Sequence, residues 1–350
     1  MADATQQELQ NPDGHGPNQV RTSHHPKTDP EREGRDYYGI PPIKHAHWTW
    51  QIPVYFWLGG ITAGVALFSA VSKLVGKEDP AVTRIGRYFA VISMILSPIL
   101  LIWDLGRPER FLNMMRIWKL RSPMSNQSWS LVAYGNVSGV LMLKQAAEDG
   151  FMGRGVLPRL IAKLVPDRVL QVLALPLALF IGSNTGTLLS ATSVPIWARN
   201  WMLMGPTFLA SGVSTGLSFI SLVLNLLRTG RKDTHHTLQR AEKVMLLAET
   251  GLIAASLARM SRWGKPLYTG KVGGLFIGGT LLGGIVAPLA LLFSGNETRN
   301  KSMLTSVLVL LGGLAFRFAL VLAGRKSADD PQAYFSFTRG ENAPQPEDKM

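Results

Sequence analysis

Seven polar side chains stand within or at the ends of long apolar runs: Gln51, Tyr55, Asp104, Asn184, Thr185, Glu249 and Arg317. An ionisable group at membrane depth costs about 3 kcal/mol even on the gentler scales, so it faces a cavity or an opposite charge. Asp104 ends the second run, and Asn184 and Thr185 lie late in the fourth. Glu249 is near the middle of the sixth, and Arg317 is past the middle of the eighth. Gln51 and Tyr55 open the first run, one helical turn apart. If the runs alternate in direction, all of these groups lean toward one face of the bilayer. A carboxylate such as Glu249 or Asp104 suits proton exchange. Arg317 suits negative charge developing on a reduced quinone oxygen. The pattern predicts one polar pocket for the headgroup of a lipid-soluble quinone, held by Gln51, Tyr55, Asn184, Thr185 and Arg317. A purely structural pairing of Arg317 with Glu249 or Asp104 is the competing reading.

The elements that must position these groups are helices. Eight runs, at about 52–75, 82–104, 127–147, 169–191, 203–227, 239–258, 271–293 and 303–325, are each long enough to cross roughly 30 Å of hydrocarbon. The sixth is the weakest, because Glu242, Lys243 and Glu249 interrupt it. Pro98, Pro176 and Pro288 fall inside runs; neighbouring helices in a membrane can re-satisfy the carbonyls they free. The expected fold is an all-α integral membrane protein with eight transmembrane helices, arranged as two four-helix bundles. It comprises a polar N-terminal tail at 1–43, a transmembrane domain at 44–326 and a C-terminal tail at 327–350. Both tails read as disordered, and no signal peptide is evident. Glycines recur at four-residue spacing, as in Gly60 and Gly64, Gly135 and Gly139, Gly212 and Gly216, and Gly274 and Gly278. Such spacing lets helix backbones approach closely.

Composition narrows the chemistry. Charged residues make up 17% of the 350 residues, well below the usual quarter for a soluble domain. The formal charge of +13 is distributed among loops between apolar runs, with no basic stripe of the kind nucleic acid requires. The chain has no cysteine, which excludes disulfides, iron–sulfur clusters and cysteine-bound zinc within it. Its histidines are His15, His24, His25, His45, His47, His235 and His236, none inside an apolar run. A membrane haem needs axial ligands at that depth. The reading is therefore no haem, no iron–sulfur cluster and no metal in this chain.

An even number of spans puts both tails on one face, with the loops at 105–126, 192–202 and 259–270. These loops mix charge with tryptophan and proline, whereas those of the opposite face are plain solvated turns. Loops of this kind are built to contact a partner, and Arg107, Glu109, Arg110, Trp118 and Trp197 are the expected docking residues. Phe111, Met114, Met115, Ile117 and Trp118 read as a short amphipathic segment along the interface. Trp118 and Trp263 also suit an aromatic belt. Lysines and arginines balance between the two faces, so charge bias does not orient the protein.

"DLGRPERFLNMM" at 104–115, followed by "RSPMS" at 121–125, resembles the membrane subunits of the NrfD/polysulfide-reductase family. "YFWLGGITAG" (55–64), "LLSATSVPIW" (188–197), "LAETG" (247–251), "PLYTGK" (266–271) and "LAFRFALVLAG" (314–324) are similar to its other spans. The resemblance covers about residues 37–335, and "YYGIPPIKHAHW" looks most like members that accompany formate dehydrogenases. It implies a multi-pass protein of the bacterial inner membrane with no redox centre of its own. It also implies a four-cluster iron–sulfur partner, a molybdopterin or multihaem catalytic subunit, and menaquinone or ubiquinone bound near the "DLGRPER" face. That face is periplasmic by the family pattern. Many members carry Tyr before the Thr-Gly of the fourth span, where this chain has Asn184; Gln51 and Tyr55 are the expected substitutes. A secondary transporter, or a pure membrane anchor without a quinone site, are the alternatives.

Overall fold

The computed structural model describes residues 43, 46–153, 155–295, 298–330, 334 and 338. The expectation of disordered tails falls almost wholly outside them. Local chemistry sets the helix ends. Pro80 and Pro123 begin helices where no amide hydrogen is needed. Asp79, Ser122 and Thr298 accept hydrogen bonds from the exposed first-turn amides of Ala81, Ser125 and Lys301. The long helices are α1 (Gln51–Leu74), α2 (Pro80–Asp104), α3 (Pro123–Glu148), α4 (Asp167–Ser190), α5 (Trp201–Leu227), α6 (Lys232–Met260), α7 (Gly270–Phe293) and α8 (Arg299–Ala328). Helix α7 is wound as a π-helix over Gly274–Val286. No strand occurs among the described residues.

Six of these, α1, α2, α4, α5, α7 and α8, are long and apolar enough to cross a membrane. The other two dilute their apolar residues. Helix α3 carries Gln127, Asn136, Lys144 and Gln145, and α6 carries Glu242, Lys243, Glu249 and Arg259. The expected eight spans are thus six by length and composition.

Contacts close two rings. In the first, α1 meets α2, α2 meets α3, α3 meets α4, and α4 returns to α1. In the second, α5 meets α6 and α8, α8 meets α7, and the Ala287–Phe293 end of α7 touches α6. The rings join where α5 packs on α1 and α4. Glycine makes that junction possible. A Cβ placed on Gly64 would lie 2.8 Å from the Gly212 carbonyl oxygen, and one on Gly216 would lie 2.7 Å from the Gly64 Cα. Not every glycine pair packs in this way: a Cβ on Gly139, Gly274 or Gly278 would meet nothing within 4 Å.

Candidate functional site

Between α1, α2 and α3, toward the face that carries the 105–126 loop, the first ring leaves a cavity of about 380 Å³. Val91, Met94, Pro98 and Leu101 of α2 line one wall, and Gln127, Leu131 and Gly135 of α3 line another. Each set recurs every three or four residues, as one helix face must. Phe111, Met114 and Met115 come from the short helix Phe111–Arg116 and line the mouth. Tyr55, Gln127, Ser128 and Asp104 make the rim end polar, while most of the remaining lining is apolar.

A hydrogen-bonded relay runs to this cavity from α4. The Asn184 amide donates to the Pro123 carbonyl at 3.1 Å and to Gln127 Oε1 at 2.8 Å. Gln127 Nε2 donates in turn to the Tyr55 hydroxyl oxygen. A carbonyl only accepts, so Pro123 fixes which end of the Asn184 amide faces it. That choice presents a donor to Gln127, and the Gln127 N–H is then directed at Tyr55. The phenol oxygen is occupied as an acceptor, which leaves the Tyr55 O–H to donate. Tyr55 and Gln127 are both buried, and both line the cavity.

At the rim, the Thr49 amide (3.1 Å) and hydroxyl (2.9 Å) both donate to Asp104 Oδ1. The Thr49 hydroxyl also approaches Gln51 Oε1. These contacts tie the entry to α1 to the end of α2, and Trp50 packs edge-on against Trp103 beside them. Asp104 therefore both clamps the rim and lines the cavity.

The sequence-predicted residues separate into groups. Tyr55 and Asp104 line the cavity, Asn184 stands one hydrogen bond behind it, and Gln51 reaches it only through the Thr49 clamp. Thr185, Glu249 and Arg317 do not line it. The Thr185 hydroxyl donates to the Gly182 carbonyl of its own helix at 2.7 Å, and its methyl group packs toward Gly59. Arg317 and Glu249 lie in the second ring around α5. Arg317 donates to the Gly313 carbonyl (2.8 Å) and to the Ser211 hydroxyl (3.2 Å), with its guanidinium over the Phe208 ring. Glu249 accepts from Ser214. Thr207 with Ser256, and Asn225 with Ser302, extend this row of polar side chains along α5. The expectation of one chamber is corrected to two polar sites. Depth along a helix is legible in sequence, but the direction a side chain takes around the helix depends on which neighbour each helix meets.

Trp197 is a second correction. Its side chain is fully buried, stacked on Trp48, with its indole N–H donating to the Leu320 carbonyl at 3.0 Å. It braces the α5–α8 region and cannot meet a docking partner. Trp263 is likewise buried, beneath the Arg199 guanidinium, and not in a lipid-facing belt. Arg107, Glu109 and Arg110 are exposed around the Pro108–Arg110 turn, and Trp118 is exposed beside them. Of the expected amphipathic segment, Phe111, Met114 and Met115 line the cavity, whereas Ile117 and Trp118 are exposed. Gln127 is the site residue that the sequence reading missed. It stands among Ser125, Asn126 and Ser128, so the polarity of its neighbours masked it as a helix-start residue.

A family model described as "Polysulphide reductase, NrfD" matches residues 42–327 of the protein. The sequence is 28% identical over 302 residues to the C subunit of the polysulfide reductase of Wolinella succinogenes, an alignment covering 79% of this protein and 94% of that subunit. It is 26% identical over 310 residues to "Protein NrfD homolog" of Haemophilus influenzae, covering 79% and 94% respectively. It is also 26% identical over 308 residues to "Protein NrfD" of Escherichia coli, covering 79% and 95%.

Proposed function

The chain belongs to the NrfD polysulphide-reductase family, and from that premise we propose that it is the quinone-reactive membrane subunit of a multi-subunit oxidoreductase. The observation that carries this reading is the cavity of about 380 Å³ that ends on Tyr55, Gln127 and Asp104. A site for a quinone needs an apolar slot with a few convergent polar groups, and this cavity has both. When bound, the quinone supplies the two-electron, two-proton chemistry. The protein supplies the rest. The Tyr55 O–H donates to one headgroup oxygen, with its direction set by Gln127 and Asn184. Asp104 stands at the rim between cavity and water, where its carboxylate moves protons. Met114 and Met115 cover the mouth and limit the access of water.

Electrons pass between the cavity and an iron–sulfur partner outside this subunit, which serves a molybdopterin or multihaem catalytic subunit. That partner docks on the exposed Arg107, Glu109, Arg110 and Trp118. All eight long helices cross the bacterial inner membrane in this reading. Helices α3 and α6 do so despite their polar residues, because Gln127, Glu242 and Glu249 are buried against neighbouring helices. Arg317 and Glu249 serve the second ring instead of holding the headgroup.

The test is to fill the cavity. Met94→Trp projects a bulkier side chain into it, and the assembled complex is assayed with quinone and with a water-soluble dye that exchanges electrons with the partner directly. Loss of quinone-linked turnover with dye-linked turnover intact is expected. Equal retention of both rates would refute the cavity as the quinone site.

A further inference from the structure

The opposite-face loops read as plain solvated turns in sequence, but the one between α3 and α4 folds into a helix, Val156–Leu164. It lies where three apolar helices end. Asp167, at the start of α4, pairs with Lys73 near the end of α1 and with Arg87 near the start of α2, and all three helices are long and apolar enough to cross a membrane. The short helix packs chiefly on α3. At 3.6 residues per turn its side chains separate into three stripes. Pro158 is buried, and Ile161 and Ala162 beside it are half-buried, so this stripe faces the protein. Val156, Leu157, Leu160 and Leu164 form the second stripe, and they are 81%, 63%, 49% and 66% exposed. Large apolar side chains left bare at the end of membrane-crossing helices face lipid. Arg159 and Lys163 form the third stripe, and both are exposed.

The two cations stand four residues apart, a spacing at which like charges on a helix repel. The acids of their own loop are engaged elsewhere. Glu148 meets Arg87 (3.5 Å) and Lys144 (3.9 Å), Asp149 meets Arg84 (2.8 Å), and Asp167 holds Lys73 and Arg87. Neither Arg159 nor Lys163 has an ion pair or a hydrogen bond among the described residues. We propose that Val156–Leu164 is an interfacial helix that binds the phosphodiester headgroup of an acidic phospholipid between Arg159 and Lys163. The occupant is a lipid because one molecule of that class satisfies both outward stripes. Its phosphate meets the cations, and its acyl chains cover the neighbouring leucines. An acidic peptide would answer the charges alone. The bound phosphate also offsets the repulsion between Arg159 and Lys163, so the headgroup steadies the helix that joins α3 to α4. This inference rests on the membrane-crossing reading of the helices and not on the quinone cavity.

The chain has no cysteine, so Leu160→Cys creates a single labelling site on the apolar stripe. The full-length protein, labelled there with bimane, is reconstituted in nanodiscs. These contain phosphatidylglycerol or phosphatidylcholine that carries a spin-label quencher on its acyl chain. Competition with unlabelled phosphatidylcholine then gives the relative affinity of each lipid at the helix. Phosphatidylglycerol should bind about 25-fold better than phosphatidylcholine, roughly fivefold for each cation. With Arg159→Gln and Lys163→Gln combined, that preference should vanish. Lys232→Gln removes another exposed cation of the same face and should leave the preference as it was. Equal affinity for the two lipids before either cation is replaced would overturn the proposal. So would a preference that survives the double substitution, or one that Lys232→Gln abolishes as fully. Absence of quenching by both lipids would overturn it too, as the result expected if a protein partner or water covers the helix.

Discussion

The relay Asn184–Gln127–Tyr55 makes a prediction that separates a donor from the residue that aims it. Tyr55→Phe removes only the hydroxyl. If that O–H donates to a quinone oxygen that gains negative charge, the bond is worth about 1.5–3 kcal/mol, or roughly a ten- to 150-fold loss of kcat/KM for quinone at 1.36 kcal/mol per decade. Gln127→Leu keeps the phenol but removes the N–H that holds its oxygen. The loss there is that of a neutral hydrogen bond, about 0.5–1.5 kcal/mol, or roughly two- to twelvefold. Because Gln127 acts through Tyr55, the double variant should fall no further than Tyr55→Phe within about 0.5 kcal/mol. Independent roles would multiply instead, giving roughly 20- to 2,000-fold. The assay is quinone-linked turnover of the assembled complex in membranes, normalised to dye-linked turnover so that poor assembly does not count as lost catalysis. Multiplicative losses, or a wild-type rate for Tyr55→Phe, would refute the relay.

Three further outcomes follow from the packing and from the loops. Gly64→Leu drives a side chain into the backbone of α5 at Gly212 and Gly216, so the two rings cannot seat, and size-exclusion chromatography in detergent should show aggregate in place of a monodisperse peak. Arg317→Leu removes a buried cation that donates to Gly313 and Ser211, in the same ring as the buried Glu249, a loss of about 1.5–3 kcal/mol. Thermal melting should show partial recovery when Glu249→Gln is added, and no recovery would mean the two charges are uncoupled. At the opposite face, Asp79 accepts from Ala81, the Arg231 amide and Thr234, joining the start of α2 to the start of α6. Burial pushes the Asp79 carboxyl up, but these hydrogen bonds and the Arg231 charge outweigh it and hold it below the usual carboxylate range. Its contribution to stability is therefore complete above the unfolded value of about 3.9 and is lost as pH falls through the lower folded value. Asp79→Asn should flatten the acid limb of a stability–pH curve, and an unchanged limb would contradict this assignment.

Much of the fold was legible in the sequence because apolar runs fix the middles of helices. The run expected at 203–227 is α5, Trp201–Leu227, and the run expected at 271–293 is α7, Gly270–Phe293. The sixth run, expected at 239–258, is the worst match, since α6 extends to Lys232–Met260. Its charged first turns hide it from an apolar count, although Asp233 near its start suits a helix N-terminus. The site was less legible. Position along each run placed Arg317, Glu249 and Tyr55 toward one face, but a residue's azimuth comes from helix pairing. That pairing is decided by glycine contacts such as Gly64 with Gly212, which turn one side of α1 to the second ring. Tyr55 lies on the part of α1 that is left facing α2 and α3.

The same geometry explains why the "DLGRPERFLNMMR" segment joins an intramembrane carboxylate to a dense run of charge. Asp104 ends α2 at the cavity rim, and Gly106 and Pro108 turn the backbone across the mouth. The short helix that follows has room for two faces only. Spacing of three and four residues puts Phe111, Met114 and Met115 over the cavity, which leaves Leu112, Asn113 and Arg116 exposed beside the Arg107–Arg110 turn. A partner bound to the outer face would therefore press on the residues that line the inner one. Substituting the outer arginines should weaken docking without touching the cavity lining, whereas substituting Met114 or Met115 should alter quinone access without touching the docking charges. In the proposed reading one short element serves both roles, because its two faces are less than one helix diameter apart, about 10 Å. If the proposed partner and quinone both bind here, separating the two roles into two loops would lengthen the path an electron must cross between them.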